Sequence, residues 1–95
     1  RGRYGKRGKA REHLSQKKKT LEAVLSGTRD AGISFDDLRS LLRYLGFEER
    51  VRGSHHIFTR PGVEEILNLQ PRGTQAKPYQ VKQVRNVVLR HKLGE

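Results

Sequence analysis

At 95 residues the chain has room for a single small domain, in which only about 60% of the unfolded surface is buried, so a large cofactor-binding fold is excluded. It contains no cysteine, which removes disulfide frameworks, thiolate zinc sites and cysteine nucleophiles. No apolar run approaches the roughly 20 residues of a membrane-spanning helix, and the arginine-rich start lacks the apolar segment of a secretory signal, so a soluble cytoplasmic protein that does not engage membranes is expected.

The net charge of +11 is unevenly placed. Residues 1–20 hold nine basic groups against Glu12 alone, or +8, which leaves only +3 for the other 75 residues. With Gly2, Gly5 and Gly8 and no apolar period, residues 1–16 read as a disordered basic tail, or as an extension foreign to the native product. Its charge attracts polyanions such as RNA. The case for a specific function therefore rests on the rest of the chain.

Residues 17–33 read as one short helix and a linker. Leu21, Val24 and Leu25 form its apolar face and Gly27 its stop. Ser34 then opens the strongest helix: its side chain can accept the Asp37 amide, while Asp36 and Asp37 complement the positive helix end. Leu38, Leu41, Leu42 and Leu45 make a continuous apolar stripe, and Gly46 supplies the left-handed terminator. From Phe47 the period becomes strand-like, with a first strand over 47–51. Arg52-Gly53-Ser54 is a turn, residues 55–60 a second strand, Pro61-Gly62 a type II turn and residues 63–69 a third strand. Residues 70–77 are expected to be a loop. Pro78 suits the first turn of a final helix, which carries Val81, Val84, Val88 and Leu89 to about Lys92, with Gly94 beyond. The order is that of an α+β domain: a three-stranded antiparallel sheet with helices on one face, over residues 34–93, and an added N-terminal helix.

Chemistry concentrates at His55 and His56, which enter a strand straight from the glycine turn. Alternation along a strand sends the two rings to opposite faces, so they cannot share one role. An imidazole titrates near neutral pH and can remove the proton from a ribose 2′-hydroxyl. The same spacing also fits one ring filling space over the helices and the other lying at the surface. Diverging rings make a poor bidentate ligand for a metal, even with Glu49 nearby, so neither metal nor cofactor is expected. Arg72, Lys77, Lys82 and Arg85 flank a loop and a helix start, where backbone amides favour a phosphate, although a solvated helix face has the same composition.

The stretch from Phe35 to Leu93 resembles the HicA family of toxins. The residues that carry the likeness are Leu-Arg-Tyr-Leu-Gly-Phe at 42–47, Arg-Gly-Ser-His-His-Ile-Phe at 52–58, and Lys-Pro at 77–78 before a valine-rich helix. The resemblance implies a fold similar to a double-stranded-RNA-binding domain, metal-independent cleavage of messenger RNA by the motif histidine, and neutralisation by a HicB-like antitoxin. Gly53 and Ser54 match the motif turn. His55 matches its histidine and His56 a neighbour that is often histidine, which leaves both as catalytic candidates. With Gly53, Ser54, Arg72, Lys77 and Lys82 they form the expected RNA site. Two departures stand out: residues 1–33 precede the usual domain, and the segment 68–73 lacks the histidine that many members carry near the end of the third strand. A non-catalytic RNA-binding module of the same fold is the alternative.

Overall fold

The computed structural model describes residues 16–95, so nearly all of the proposed basic tail lies outside the described residues. The first helix, α1, covers residues 16–26. It starts earlier than its apolar residues suggest, because Thr20 sits buried against the domain and its hydroxyl donates to the Gln16 carbonyl at 2.9 Å. Val24 is fully buried, whereas Leu25 turns outward and is 38% exposed. One face one residue narrower is enough for a helix that docks at its side.

A 3-10 turn, Asp30–Gly32, leads into α2, Phe35–Tyr44. The Ser34 hydroxyl accepts the Asp37 amide at 3.2 Å, which is the expected N-cap. Phe35, Leu38, Leu41 and Leu42 are buried along its stripe, and Gly46 adopts a φ of +98° just past the helix.

The sheet is a meander of β1 (Glu48–Arg52), β2 (His55–Arg60) and β3 (Val63–Leu69), in the order β1-β2-β3 with both pairings antiparallel. Two-residue connections suffice because Gly53 and Gly62 take φ values of +59° and +85°. Phe58, Leu67 and Leu69 are buried on one sheet face. There they meet α2 and α3 (Pro78–Arg90), the latter contributing Val81, Val84, Val87 and Val88. From Phe35 onward the helix, the three-stranded meander and the final helix follow in the order read from the sequence, with a short hairpin between β3 and α3.

Residues 70–77 are not a plain loop. They form a second, two-stranded hairpin, β4 (Pro71–Arg72) and β5 (Gln75–Ala76). Two-residue strands are too short to show a period. The hairpin is fixed instead by backbone bonds to the entrance of α2, from the Ala76 amide to the Ile33 carbonyl at 2.9 Å and from the Phe35 amide to the Thr74 carbonyl at 3.0 Å. At the other end α3 stops at Arg90, two residues before the expected limit, and Leu89 is 60% exposed rather than part of the apolar face. Val87 takes that place.

The added helix is bolted on by Arg85 of α3. Its guanidinium donates to the Val24 carbonyl at 3.1 Å and to both oxygens of Asp30 at 2.8 and 3.2 Å. Leu21 closes over the C-terminal turn so tightly that a Cβ at Gly94 would stand 2.8 Å from its Cδ2.

These packing differences set the expected cost of truncation. Leu42→Ala removes a fully buried side chain and should cost about 2–5 kcal/mol, a large part of the roughly 5–15 kcal/mol that holds a small domain. Leu89→Ala should change stability by less than about 0.5 kcal/mol. Urea denaturation of the two variants checks both values.

Candidate functional site

The site is built at the end of the sheet where β1 turns into β2. Arg52 pairs with His55, Val51 with His56, Arg50 with Ile57 and Glu49 with Phe58. Because Phe58 is fully buried beneath the helices, the residues in phase with it, Glu49 and His56, face the helices. Those out of phase, Arg50, Arg52, His55 and Ile57, face the open side. The two histidines are thus separated, as alternation requires.

His56 is enclosed. Its side chain is 15% exposed, and its ring meets Phe35 edge-on with centroids 4.9 Å apart. Its Nδ1 lies 2.7 Å from Glu49 Oε2, so it donates to a carboxylate that is itself only 7% exposed. Arg39 of α2 grips the same carboxylate from the other side, with Nε 2.6 Å from Oε2 and Nη2 3.2 Å from Oε1. Burial pushes the Glu49 carboxyl up, but the hydrogen bonds from Arg39 and His56 outweigh it and hold the group below the ordinary carboxylate range. The Arg39 guanidinium is correspondingly held more firmly in its charged form by Glu49.

His55 is exposed on the open face. Its Nδ1 stands 3.0 Å from the Oδ1 of Asn68 on β3. Asn68 pairs with Ile57, which makes it the diagonal neighbour of His55 on that face. An amide oxygen only accepts, so in this contact Nδ1 is the donor, which in a neutral ring leaves the lone pair on Nε2.

The adjoining residues are joined by glutamine side chains. Gln70 Nε2 donates to the Ser54 hydroxyl at 2.8 Å, closing the end of β3 onto the turn before His55. The buried Gln80 of α3 accepts the Gln70 amide at 3.2 Å and donates to the Asn68 carbonyl at 3.5 Å. Gly53 and Ser54 therefore stand beside His55, and exposed Arg72 follows two residues after Gln70. Lys77 is the N-cap residue of α3, and Lys82 is exposed on its second turn. They belong to the helix start; Gln80, which lies between them in the chain, is the residue that bonds Gln70 and Asn68. Arg52, Asn68, Gln70 and Gln80 did not emerge from the sequence, since contacts across strands leave no mark in local spacing. Asn68 does lie in the segment where the expected second histidine is missing.

Among the described residues no group of three or more histidine and acidic side chains is placed to hold a metal ion, and no helix is long and apolar enough to cross a membrane. Comparison with curated proteins and with solved structures gives no match. A family profile described as HicA toxin of bacterial toxin-antitoxin matches residues 35–91. The match begins with α2 and ends one residue after α3, leaving α1 outside it, and it takes in His55, His56, Asn68 and Gln80. A toxin of this kind has an antitoxin as its partner. From that match over well more than half of its length, the chain belongs to the HicA family of toxins of bacterial toxin–antitoxin systems.

Proposed function

We propose that the protein is a metal-independent endoribonuclease that cuts messenger RNA, with His55 as the general base, and that a HicB-like antitoxin restrains it in the cytoplasm. The observation that carries this reading is the placement of His55: an exposed ring on the open sheet face, its Nδ1 proton engaged by Asn68. Nε2 is then free to take the proton of a ribose 2′-hydroxyl. The 2′-oxygen attacks the adjacent phosphorus, and the bond to the 5′-oxygen breaks as that oxygen takes a proton from water. One product ends in a 2′,3′-cyclic phosphate and the other begins with a 5′-hydroxyl. Arg52, opposite His55 on the same face, supports the charge that builds on the phosphate. Arg72 and the α3 start, with Lys77 and Lys82, extend the path for the backbone, and the Gly53–Ser54 turn leaves room for RNA to approach. The histidines lie on opposite faces of the sheet, so the two rings cannot share one metal ion.

A second reading has support in the 2.7 Å contact between His56 and Glu49, since a carboxylate on Nδ1 is the usual way to orient a catalytic imidazole. Enclosure by Phe35 and the grip of Arg39 on the same carboxylate favour a structural tie instead. The non-catalytic RNA-binding module remains the rival from another class.

His55→Ala should lower RNA cleavage about 10²- to 10⁴-fold in the presence of a chelator, with melting and RNA affinity close to those of the parent. His56→Ala should lower the melting temperature, with activity per folded molecule largely kept. Loss of cleavage in a fully folded His56→Ala protein would move the base to His56. An unmutated protein that binds RNA without cutting it would favour the module.

The Glu49 tie has its own pH signature. A carboxyl held below its unfolded range contributes stability above that range and loses it as pH falls through the folded value. Glu49→Gln should therefore cost about 1.5–3 kcal/mol near pH 7, and the gap between variant and parent should close as the solution is acidified below the ordinary carboxylate range. Denaturation curves across pH 3–7 measure it.

A further inference from the structure

On the far side of Asn68 from the Ser54 turn, the free edge of β3 and the flank of α3 enclose an open groove of about 360 Å³. Its walls differ in kind. Ile66, Leu67 and Val87 give it apolar surface, while Asn68, Gln83 and Asn86 line it with amides. Ile66 is 66% exposed, a large aliphatic side chain left in water beside polar groups. Gln83 and Asn86 are also exposed, in contrast to Gln80, whose amide is committed to the backbone of Gln70 and Asn68 and to the Tyr79 hydroxyl. Glu65 at the far end is likewise committed, to His91 at 2.8 Å and Arg90 at 3.4 Å.

A flat ring with hydrogen-bonding edges matches such a groove, in which apolar side chains cover the ring's face while amides meet its donors and acceptors. An asparagine or glutamine amide offers both a donor and an acceptor in one plane, which is how these side chains read base edges. Single-stranded RNA presents its bases unstacked to such sites, and a cavity of this size lies within the range that holds a small ligand. Position adds the decisive point. Asn68 contributes to the groove and at the same time holds His55 by its ring nitrogen, so a base seated there belongs to a nucleotide next to the reacting ribose. The edge of β3 also offers backbone groups to an added strand. The flank of α3, with Gln83 and Asn86, stands over that edge, which favours a planar base over an extended peptide.

We infer that this groove is the base-recognition subsite of the nuclease, in which Gln83 and Asn86 read the nucleobase flanking the scissile phosphate. The inference rests on the ribonuclease reading, and it assigns to these two amides the choice of where RNA is cut.

The test has two arms on the whole chain. In the first, cleavage of RNAs differing only in the base beside the scissile bond is compared for the parent, Gln83→Ala and Asn86→Ala. The parent should prefer one base, and each variant should lower the ratio of best to worst base by about 5- to 100-fold, the range expected for a bidentate base contact. In the second, side-chain amide NMR signals of Gln83 and Asn86 are followed while each of the four nucleoside 3′-monophosphates is added, and they should move most with the preferred base. Cleavage whose base preference is unchanged in both variants overturns the subsite and leaves the nuclease standing. Signals that move with a nucleotide in a protein that does not cut RNA support the subsite and overturn the nuclease. Signals that respond only to antitoxin assign the groove to that partner and overturn the proposal.

Discussion

Everything at the site depends on the register of β2 against the helices. Phe58 is fully buried, and with side chains alternating along the strand its burial determines the direction of every neighbour. His56 must face inward and His55 outward. A slip of one residue would exchange them, placing an unanchored imidazole under α2 and moving the Glu49 contact to the solvent side. The register is pinned at both ends of β2 by two-residue glycine turns, and on the helix side by Leu67 and Leu69 of β3. The outward direction of His55 is therefore set by a buried phenylalanine on the opposite face of the sheet.

The two histidines illustrate how one residue type takes different work from its surroundings. His56 is held between an aromatic edge and a carboxylate already claimed by Arg39, so its hydrogen bonds go into joining β2, β1 and α2. His55 is exposed on the open face and meets the neutral amide of Asn68. Glu49 is central to the first case. As a nearly buried carboxylate it is tolerable only because cationic and imidazole donors reach it from two elements, and those donors fasten α2 to the edge strand β1.

Much of this was legible in the sequence where a local rule applies. The Ser34 cap with leucines at helical spacing gave α2, and strand alternation alone separated His55 from His56. Glycine placement gave both turns of the meander. What escaped reading depends on partners distant along the chain. Nothing near Asn68 marks it as the neighbour of His55, because that contact arises from the β2–β3 register. Nothing in the local sequence singles out Gln80 either, yet it is 4% exposed and bonds Gln70 and Asn68. The β4–β5 hairpin is two residues per strand, below the length at which a period exists. Leu25 and Leu89 failed in the opposite sense: each fits a helical stripe, but the core is too small to cover so wide a face.

The Arg85 contacts with Val24 and Asp30 join residues 61 and 55 positions apart, whereas the sheet pairs only consecutive strands. In folding terms the meander closes short loops and can form early, while the docking of α1 must wait until α3 is in place, because loop closure grows costlier with separation. The same order holds in reverse for fluctuations of the native state. Release of α1 would break the Arg85–Val24 bond, the Gln16–Asp37 hydrogen bond and the Lys17–Tyr44 contact and would uncover Leu21 and Val24, yet it leaves the strand pairings in place, so local opening at α1 does not require the sheet to unfold. A protease acting on that opening would meet α1, outside the family match, while the sheet that carries His55 and His56 is still paired.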